Sequence, residues 1–277
     1  MKLPYYDKRR KLRTARGGVF LQAVILAGGL GTRMREETEY RPKPLVEIGG
    51  KPVLWHIMKN LSAQGITEFI ILTGYKGEMI RRYFLDLPAI NNDFTISYAQ
   101  NRLTYHNDRK EEEWTVTVLE TGPETLTAGR LAYAKAHIRS SPFLLTYGDG
   151  LADVDLSKLS ETHSKRGLPF TITVAVPSSR FGVVQLASSG AVETFIEKPK
   201  GAENVNIGFM LLESNIFDYL SADEPLETGP LPRLASQGLL GAYVHSGFFH
   251  PMDTVRDQHE IEALWKSGNA PWVNWTS

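Results

Sequence analysis

Three glycines and a basic residue follow an apolar stretch near the start of the chain. Residues 23–33 read AVILAGGLGTR, which ends in Arg33. Glycine lets the backbone bend sharply and present successive N–H groups with no Cβ in the way. Such a loop can bind a chain of phosphates, and the arginine adds a positive charge beside it. A tight strand–helix turn without a ligand is the alternative interpretation.

The loop matches neither of the two common phosphate-binding signatures. The pattern GxxxxGK[ST] is absent, and the glycine spacing differs from GxGxxG with its ribose-binding acidic residue. A nicotinamide-dependent dehydrogenase is therefore disfavoured, because that class of enzyme depends on the second signature.

A second basic residue lies between two prolines. Lys43 is the lysine of RPKP, so Pro42 and Pro44 restrict the backbone on both sides of it. Phosphoryl or nucleotidyl transfer concentrates negative charge on the leaving group, and a rigidly held cation stabilises that charge without reorganisation. These properties make Arg33 and Lys43 candidates for direct roles in such a reaction.

Two aspartates lie where a metal ion could bind. Asp149 belongs to YGDG, directly after an apolar run, and Asp253 belongs to HPMD, directly before a predicted helix. Ligands of open α/β sheets bind at the carboxyl ends of the strands, and Mg²⁺ prefers carboxylate and phosphate oxygens. Capping of a turn or a helix is the alternative for both side chains.

The elements that must position these residues alternate between strand and helix. Apolar runs predict strands over 19–27 and 69–73, and helical spacing predicts helices over 53–64 and from GYKG to Phe84. This alternation is typical of an α/β fold with a parallel sheet. Further strands are predicted over 94–98, 114–119, 143–147, 171–176, 182–187, 191–196, 206–212, 239–244 and 247–249, and helices over 127–138, 155–166, 215–220 and 254–266.

The composition excludes several classes of function. Lys and Arg total 31, as do Asp and Glu, so no global field recruits nucleic acid or an acidic membrane. The chain of 277 residues has no cysteine, which excludes disulfides, thiolate zinc sites and cysteine nucleophiles. No apolar run approaches the roughly 18 residues of a membrane span. We therefore expect a cytoplasmic protein.

Several stretches resemble the sugar-1-phosphate nucleotidyltransferases. The similarity lies in AVILAGGLGTRM, RPKPLVEIGGKP, YGDG and EKPKG. KPVLWHIMKN, FIILTGYKG, LTYGDGLADVD, RFGVV and GFFHPMDTVRD resemble the glucose-1-phosphate cytidylyltransferase branch in particular. The resemblance covers roughly residues 22 to 275.

The resemblance implies a fold, a reaction and partners. The fold would be a Rossmann-like three-layer arrangement with a mixed, mostly parallel sheet and a C-terminal β-rich sugar-binding portion. The reaction would be direct in-line attack of a sugar 1-phosphate, most simply α-D-glucose 1-phosphate, on CTP, giving CDP-sugar and pyrophosphate with Mg²⁺. The partners would be these two substrates and further copies of the chain, with no nucleic acid or membrane.

The family's roles carry over to individual positions. Arg33, Lys43 and Asp149 would be catalytic, and Asp149 and Asp253 would bind the metal. The nucleotide would contact Leu26, Ala27, Gly28, Gly29, Gly31, Thr32, Arg33, Lys43, Gln100 and Gly148. The sugar phosphate would contact Arg130, Tyr147, Glu197, Lys198 and Asn206.

The same resemblance implies how the chain is divided. Residues 1–20 are expected to form a flexible basic arm, because the first 18 carry seven Lys or Arg against one Asp. Residues 21–277 would form one domain, with a nucleotide half over about 21–150 and a sugar half over about 151–277.

Two departures from the branch lie on the sugar side. Ile207 occupies a position where the branch has glycine, and Gly229 stands where an acidic residue precedes Pro-Leu. The amide of Gln100 can match cytosine or uracil, depending on how it is turned. A different sugar 1-phosphate, or a non-catalytic sugar-nucleotide sensor, therefore stays open as an alternative.

Overall fold

A mixed sheet runs through the centre of the protein. The computed structural model describes residues 21–107, 112–177, 183–186, 188–189, 191–196, 203–221 and 224–275. In chain order, the strands of these segments are β1 (Gln22–Ala27), β2 (Glu47–Ile48), β3 (Lys51–Pro52), β4 (Glu68–Thr73), β5 (Phe94–Ser97), β6 (Arg102–Tyr105), β7 (Thr115–Glu120), β8 (Phe143–Tyr147), β9 (Gly150–Ala152), β10 (Phe170–Ala175), β11 (Val183–Leu186), β12 (Val192–Ile196), β13 (Val205–Asn206), β14 (Met210–Leu212), β15 (Leu240–Val244) and β16 (Phe249–Pro251).

Helices cover both faces of this sheet. They are α1 (Arg35–Thr38), α2 (Val53–Ala63), α3 (Gly77–Asn91), α4 (Thr127–Tyr133), α5 (Leu156–Arg166), α6 (Pro230–Ser236) and α7 (Val255–Lys266). None of the helices in the described ranges is long and apolar enough to cross a membrane.

The strand order shows an α/β sheet with an antiparallel interruption. The order is β13-β10-β14-β8-β1-β4-β7, and β15 pairs with β10. Strands β8, β1, β4 and β7 are parallel to their neighbours in this series, whereas β14 is antiparallel to both β8 and β10. The carboxyl ends of β8 and β1 therefore lie side by side, where the two glycine-rich stretches follow.

Strand β1 explains why the layers assemble. Ala23 and Ile25 pack into one buried cluster, with residues of α2, α5 and α7, while Val24 and Leu26 pack into a second one, with residues of α4 and α6. Successive side chains of a strand point to opposite faces. An apolar strand buried on both sides is typical of a central parallel strand, so the predicted three-layer α/β class is confirmed.

A two-stranded ribbon lies outside the main sheet, and the sequence analysis predicted only a strand over 247–249, which overlaps β16 at Phe249. Strands β9 and β16 pair antiparallel, with Gly150 opposite Pro251. Strand β9 begins one residue after Asp149, and β16 ends two residues before Asp253. The ribbon therefore links the two predicted metal ligands.

Other predicted boundaries need correction. The predicted strand over 206–212 is two short strands, because Gly208 and Phe209 have φ values of 81° and 50°, which interrupt extended backbone. The predicted helix over 127–138 is α-helical only to Tyr133 and continues as a 3₁₀ turn. Residues 215–220 form a 3₁₀ turn, over Ser214–Asp218, rather than a helix. Helix α6 and strand β6 were not predicted.

A buried histidine connects the C-terminal segment to α2. Nε2 of His56 donates to the carbonyl oxygen of Ile48 at 2.8 Å, so Nδ1 is free to accept from Nε1 of Trp272 at 3.3 Å. The imidazole also lies edge-on to Trp265, with ring centroids 4.8 Å apart. Burial lowers the pKa of His56 to about 4, so the ring is neutral at pH 7.

The neutral His56 should make stability depend on pH. Its folded pKa lies below its unfolded value of about 6.5, so its contribution is complete above pH 6.5 and is lost as the pH falls towards 4. We expect the free energy of unfolding to fall by about 2 kcal/mol from this group between pH 7 and pH 5. Urea denaturation at both pH values measures the loss, and His56→Gln should reduce it. The exposed His137→Gln is the control; equal losses in all three proteins would contradict the assignment.

Candidate active site

The loop after β1 takes a backbone conformation that suits glycine. Gly31 has φ 62° and ψ 32° and precedes a 3₁₀ turn over Thr32–Met34. A Cβ at Gly31 would lie 2.7 Å from Cγ2 of Thr38, and the Thr38 hydroxyl donates to the Gly31 carbonyl oxygen at 3.1 Å. A larger residue would therefore be strained and would displace the following helix.

Lys43 lies beside this loop in a rigid turn. Pro42 has an extended conformation, and Pro44 occupies the first turn of a 3₁₀ segment that begins at Lys43. The Lys43 residue is 8% exposed. Its Nζ donates to Oδ2 of Asp149 at 2.7 Å and to Oδ1 of Asp253 at 2.7 Å. The predicted lysine and both predicted metal ligands are thus in direct contact.

The fold explains how the two aspartates meet. Gly148 donates its N–H to the carbonyl oxygen of Leu26 at 2.9 Å, which continues the β1–β8 pairing past the strand end. Met252 donates its N–H to the carbonyl oxygen of Asp149 at 2.9 Å, which extends the β9–β16 ribbon. Both aspartates are therefore held by backbone hydrogen bonds to ordered strands.

The helix that follows Asp253 has its own cap. Thr254 is the N-cap of α7, and its hydroxyl accepts from the Asp257 N–H in a capping box. The buried Asp257 carboxylate accepts from the N–H groups of Asp253 and Thr254 at 3.0 and 2.7 Å. The alternative that Asp253 is the helix N-cap is therefore wrong.

Electrostatics keep the lysine charged. Burial alone would lower the pKa of Lys43, but Asp149 and Asp253 outweigh it and raise the pKa above its usual value. Arg33 donates from Nη1 to Oδ2 of Asp253 at 2.6 Å, and its side chain is 75% exposed. The site thus combines two cations with two carboxylates, and Arg33 lies on its solvent side.

These residues line one cavity of about 220 Å³. Its wall contains most of the residues predicted for the nucleotide and both of those predicted for the metal. They are Leu26, Ala27, Gly29, Gly31, Thr32, Arg33, Lys43, Pro44, Gly148, Asp149 and Asp253. Gly28 is buried at the start of the loop and is not part of this wall.

The structure does not bring Gln100 to this cavity. Gln100 lies in the exposed turn between β5 and β6. That hairpin connects the end of α3 to the start of β7. It is therefore at the amino edge of the parallel strands, opposite the glycine loop. Its prediction as a base contact does not fit the geometry of one chain.

The residues predicted for the sugar phosphate divide into three groups. Glu197 and Lys198 lie outside the described residues. Tyr147 and Asn206 are near each other: Oδ1 of Asn206 accepts from the Gly208 N–H at 3.1 Å, and a Cβ at Gly208 would lie 3.1 Å from Cδ2 of Tyr147. The phenol also donates to Oε1 of Glu227 at 2.5 Å. Glu227 was not predicted from the sequence, although Gly229, which departs from the branch, lies two residues later in the same loop.

Arg130 has a different environment from the one predicted. It is 4% exposed, and Nη1 donates to the carbonyl oxygens of Thr73 and Gly122 at 2.9 and 2.8 Å. Nη2 donates to those of Gly28 and Pro123 at 3.1 and 3.2 Å. The guanidinium thus ties together the loops after β1, β4 and β7. A guanidinium engaged in this way fits support of the phosphate loop better than direct contact with the sugar phosphate.

No carboxylate contacts the Arg130 guanidinium in the described part of the chain. Burial lowers the pKa of Arg130, and the charge of Glu120 partly opposes this. Arginine nevertheless stays protonated in proteins. A buried positive charge therefore lies directly beneath the loop that would receive phosphates.

The donor set fits a hard divalent cation. Asp149 and Asp253 present carboxylate oxygens that contact the same Lys43 nitrogen, so they are close enough to share one ion. Carboxylate oxygens are ligands that Mg²⁺ prefers, with substrate phosphates completing its coordination. The predicted magnesium site is therefore chemically reasonable at these two residues.

Comparison with known families decides the class. A sequence profile of the nucleotidyl transferase family matches residues 22–235. The chain belongs to this family. The matched range contains the glycine loop, Lys43 and Asp149, and the resemblance inferred from the motifs is confirmed.

Relatives of this nucleotidyltransferase extend over almost the whole chain. The glucose-1-phosphate cytidylyltransferase of Salmonella typhi is 46% identical over 258 residues, which is 92% of this chain and 100% of the relative. A probable glucose-1-phosphate cytidylyltransferase of Bacillus subtilis is 43% identical over 257 residues, with the same coverage.

Solved structures show the same fold. HddC from Yersinia pseudotuberculosis superposes with a TM-score of 0.66 at 25% identity, over 89% of this chain and 100% of that one. A UDP-glucose pyrophosphorylase complexed with UDP-glucose has a TM-score of 0.64 at 18% identity, over 90% of this chain and 100% of that one.

Replacing Arg130 should weaken nucleotide binding while Lys43, Asp149 and Asp253 stay in place in the cavity. A single ammonium cannot reproduce a planar fork that reaches three loops. Arg130→Lys should lower the affinity for a nucleoside triphosphate about tenfold or more and lower the melting temperature, since several buried carbonyls lose their donors. Calorimetric titration with nucleoside triphosphates measures the first effect. Arg139→Lys, in an exposed ion pair with Glu68, is the matched control. Wild-type affinity in the Arg130 variant would argue against loop support.

Proposed function

We propose that this nucleotidyltransferase transfers a cytidylyl group from CTP to α-D-glucose 1-phosphate, giving CDP-glucose and pyrophosphate. The observation that carries the proposal is the contact of Lys43 with Asp149 and Asp253 beside the glycine loop. The similarity to two glucose-1-phosphate cytidylyltransferases over 92% of the chain supports the choice of CTP and glucose.

The proposed reaction needs no nucleophile from the protein. A phosphate oxygen of the sugar 1-phosphate is already anionic and attacks the α-phosphorus of CTP. A new P–O bond forms while the bond to pyrophosphate breaks, and pyrophosphate leaves on the opposite side. The work of the protein is to position both substrates and to stabilise the charge that develops.

The cavity residues supply these functions. The N–H groups of the glycine loop and the exposed Arg33 would bind the outer phosphates, because nothing bulky shields this part of the loop. Lys43 would stabilise negative charge at the α-phosphate, as a charged, buried and rigidly held ammonium. Asp149 and Asp253 would hold Mg²⁺, which supplies charge neutralisation for the triphosphate.

Alternatives differ in what they require of the site. A non-catalytic sensor has no need for a buried lysine in contact with two carboxylates, yet Lys43 makes both contacts. Only the two departures from the branch favour a different sugar 1-phosphate. One of them, Ile207, is 4% exposed and lies next to Gly208 and Phe209, where the predicted strand is interrupted. We therefore keep glucose as the proposed sugar and test others beside it.

Pyrophosphate release tests the proposal directly. The purified protein is assayed with four nucleoside triphosphates crossed with a panel of sugar 1-phosphates, in Mg²⁺ and in chelator. We expect release with CTP and glucose 1-phosphate. Release should be lost in Asp149→Asn, because the uncharged amide cannot replace the carboxylate as a ligand of Mg²⁺ or as an ion-pair partner of Lys43. Asp86→Asn, exposed on α3, is the control for activity. Release with UTP or dTTP but not CTP would overturn the nucleotide, and no release with any pair would support a sensor.

We also propose that the enzyme is a homo-oligomer and that the β5–β6 hairpin joins the copies. The hairpin exposes apolar side chains on both strands, including Ile96 at 46% and Leu103 at 46%, and Tyr98 in its turn is 86% exposed. A neighbouring apolar groove of about 520 Å³ lies between α3 and β7 and is lined partly by Trp114 and Val116. A second copy is the occupant that would cover both, because hairpin and groove adjoin.

The cytoplasmic location stays a prediction from the absence of cysteine.

Mass measured by light scattering after size exclusion should therefore exceed that of one 31.0 kDa chain. Ile96→Glu should shift the protein to smaller species, because a carboxylate would be buried without a partner. Tyr133→Glu, a 59% exposed aromatic position on α4, is the matched control. A monomeric wild-type protein, or an assembly that Ile96→Glu leaves intact, would contradict this interface.

A further inference from the structure

A line of hydrogen bonds leads from the end of β8 to the loop before α6. Tyr147 is the last residue of β8 and lies two positions before Asp149, the proposed metal ligand. Its phenol donates to Oε1 of Glu227 at 2.5 Å, and the side chain of Asn206 lies nearby. Three distant segments thus present a phenol, a carboxylate and an amide at one place.

The orientation of Glu227 is fixed although the residue is exposed. The hydroxyl of Thr127 donates to its Oε2 at 3.0 Å, and the same hydroxyl accepts from the N–H of Leu226 at 2.7 Å. Each carboxylate oxygen therefore has one protein donor and keeps acceptor capacity towards solvent. A carboxylate held from two sides can receive a hydroxyl hydrogen without losing further rotamer freedom.

The neighbouring phenol keeps its proton. A tyrosine hydroxyl has a pKa of about 10, so the phenol of Tyr147 is protonated at neutral pH. The phenol therefore stays a donor to Glu227, and the carboxylate stays an acceptor for a further partner. The short O–H···O⁻ contact is of the strong, charge-assisted kind.

The chemistry of this group selects one end of the substrate. A sugar 1-phosphate has an anionic end and a hydroxyl-rich end. The Glu227 carboxylate repels the first and can accept hydrogen bonds from the second. With Asp149 and Lys43 gathering phosphates on one side of Tyr147, the hydroxyl-rich end would face Glu227.

The loop that carries Glu227 is also where this chain departs from its branch. A Cβ at Gly229 would lie 2.2 Å from Oε2 of Glu224, whose carboxylate pairs with Arg233 at 2.6 Å. An acidic side chain at position 229 would therefore disturb that ion pair. The acidic residue nearest to Pro230 on its N-terminal side is therefore Glu227, which reaches Tyr147.

We propose that Glu227, aligned by Tyr147, accepts a hydrogen bond from a ring hydroxyl of the sugar 1-phosphate and thereby determines which sugar is used. The inference rests on the proposed function. Glu227 takes no part in the proposed contacts to the phosphates or the metal, so sugar specificity is a separate role for this residue. A site built to bond a hydroxyl discriminates strongly against analogues that lack it, because its polar group is then left without the partner.

Steady-state kinetics with Glu227→Gln test the proposal. The amide keeps the shape but is a weaker acceptor, so the KM for glucose 1-phosphate should rise about tenfold, while the KM for CTP changes less than about twofold. The preference for glucose 1-phosphate over its monodeoxy analogues should shrink for one ring position only. Tyr147→Phe should show the same pattern in weaker form, because it removes the alignment and not the acceptor. Glu224→Gln, in the same loop but paired with Arg233, should leave both KM values unchanged.

Two results would overturn the proposal. One is an unchanged KM and deoxy-sugar preference in a Glu227→Gln protein with wild-type melting temperature. The other is an equal loss for all sugars and for CTP, which indicates a merely structural role. Failure of the proposed function is seen separately, as absence of pyrophosphate release by the wild-type protein with CTP. In that event, calorimetric binding of glucose 1-phosphate decides for Glu227: about tenfold weaker binding by the variant supports the hydroxyl contact, and equal binding overturns it.

Discussion

The ammonium group of Lys43 joins three parts of the chain that are far apart in sequence. Its backbone lies against the glycine loop, where its Cβ is 3.3 Å from the position that a Cβ of Gly31 would take, and its Nζ binds Asp149 and Asp253. Removing either carboxylate would leave the largely buried ammonium with one partner instead of two. This nitrogen therefore links the loop after β1, the end of β8 and the end of the β9–β16 ribbon, in addition to the backbone hydrogen bonds of Gly148 and Met252. The same contact fixes the charges that a triphosphate would meet, so the site is organised before any substrate arrives.

Arg130 complements Lys43 from the other side of the loop. Lys43 is neutralised by carboxylates, whereas the Arg130 guanidinium binds carbonyl oxygens, among them that of Gly28. The carbonyl oxygen of Gly28 points towards this buried cation and therefore away from the cavity. It does not repel a phosphate bound in the cavity. A Cβ at Gly28 would lie 2.3 Å from Nη1 of Arg130, so a side chain there, unlike one at Gly29, would displace the guanidinium. Two buried cations thus serve different purposes within one loop.

Local sequence predicted the parts of the site that lie close together in sequence. The strand β1, the loop up to Arg33 and the stiff turn at Lys43 all follow from residue types within a few positions. Burial and long-range pairing did not follow. Arg130 was assigned to the sugar phosphate because sequence shows its charge but not the carbonyls around it. Helix α6 was missed because Gly229 and two prolines suggest a loop, although proline is well tolerated in a first helical turn. Gln100 matched a motif, but the topology places its hairpin at the opposite edge of the sheet.

The two sides of the site also differ in how freely they can change. The phosphate side depends on Lys43, whose neighbours are the backbone of a glycine loop and two carboxylates, so substitution of any member disturbs the others. The opposite side is built from Tyr147, Asn206 and Glu227, which lie on three separate segments and meet through side chains. Because these contacts are made by side chains of separate segments, a change in the loop before α6 can alter them without moving the backbone of β8. Substrate preference can therefore diverge on this side while the charged centre beside it stays unchanged.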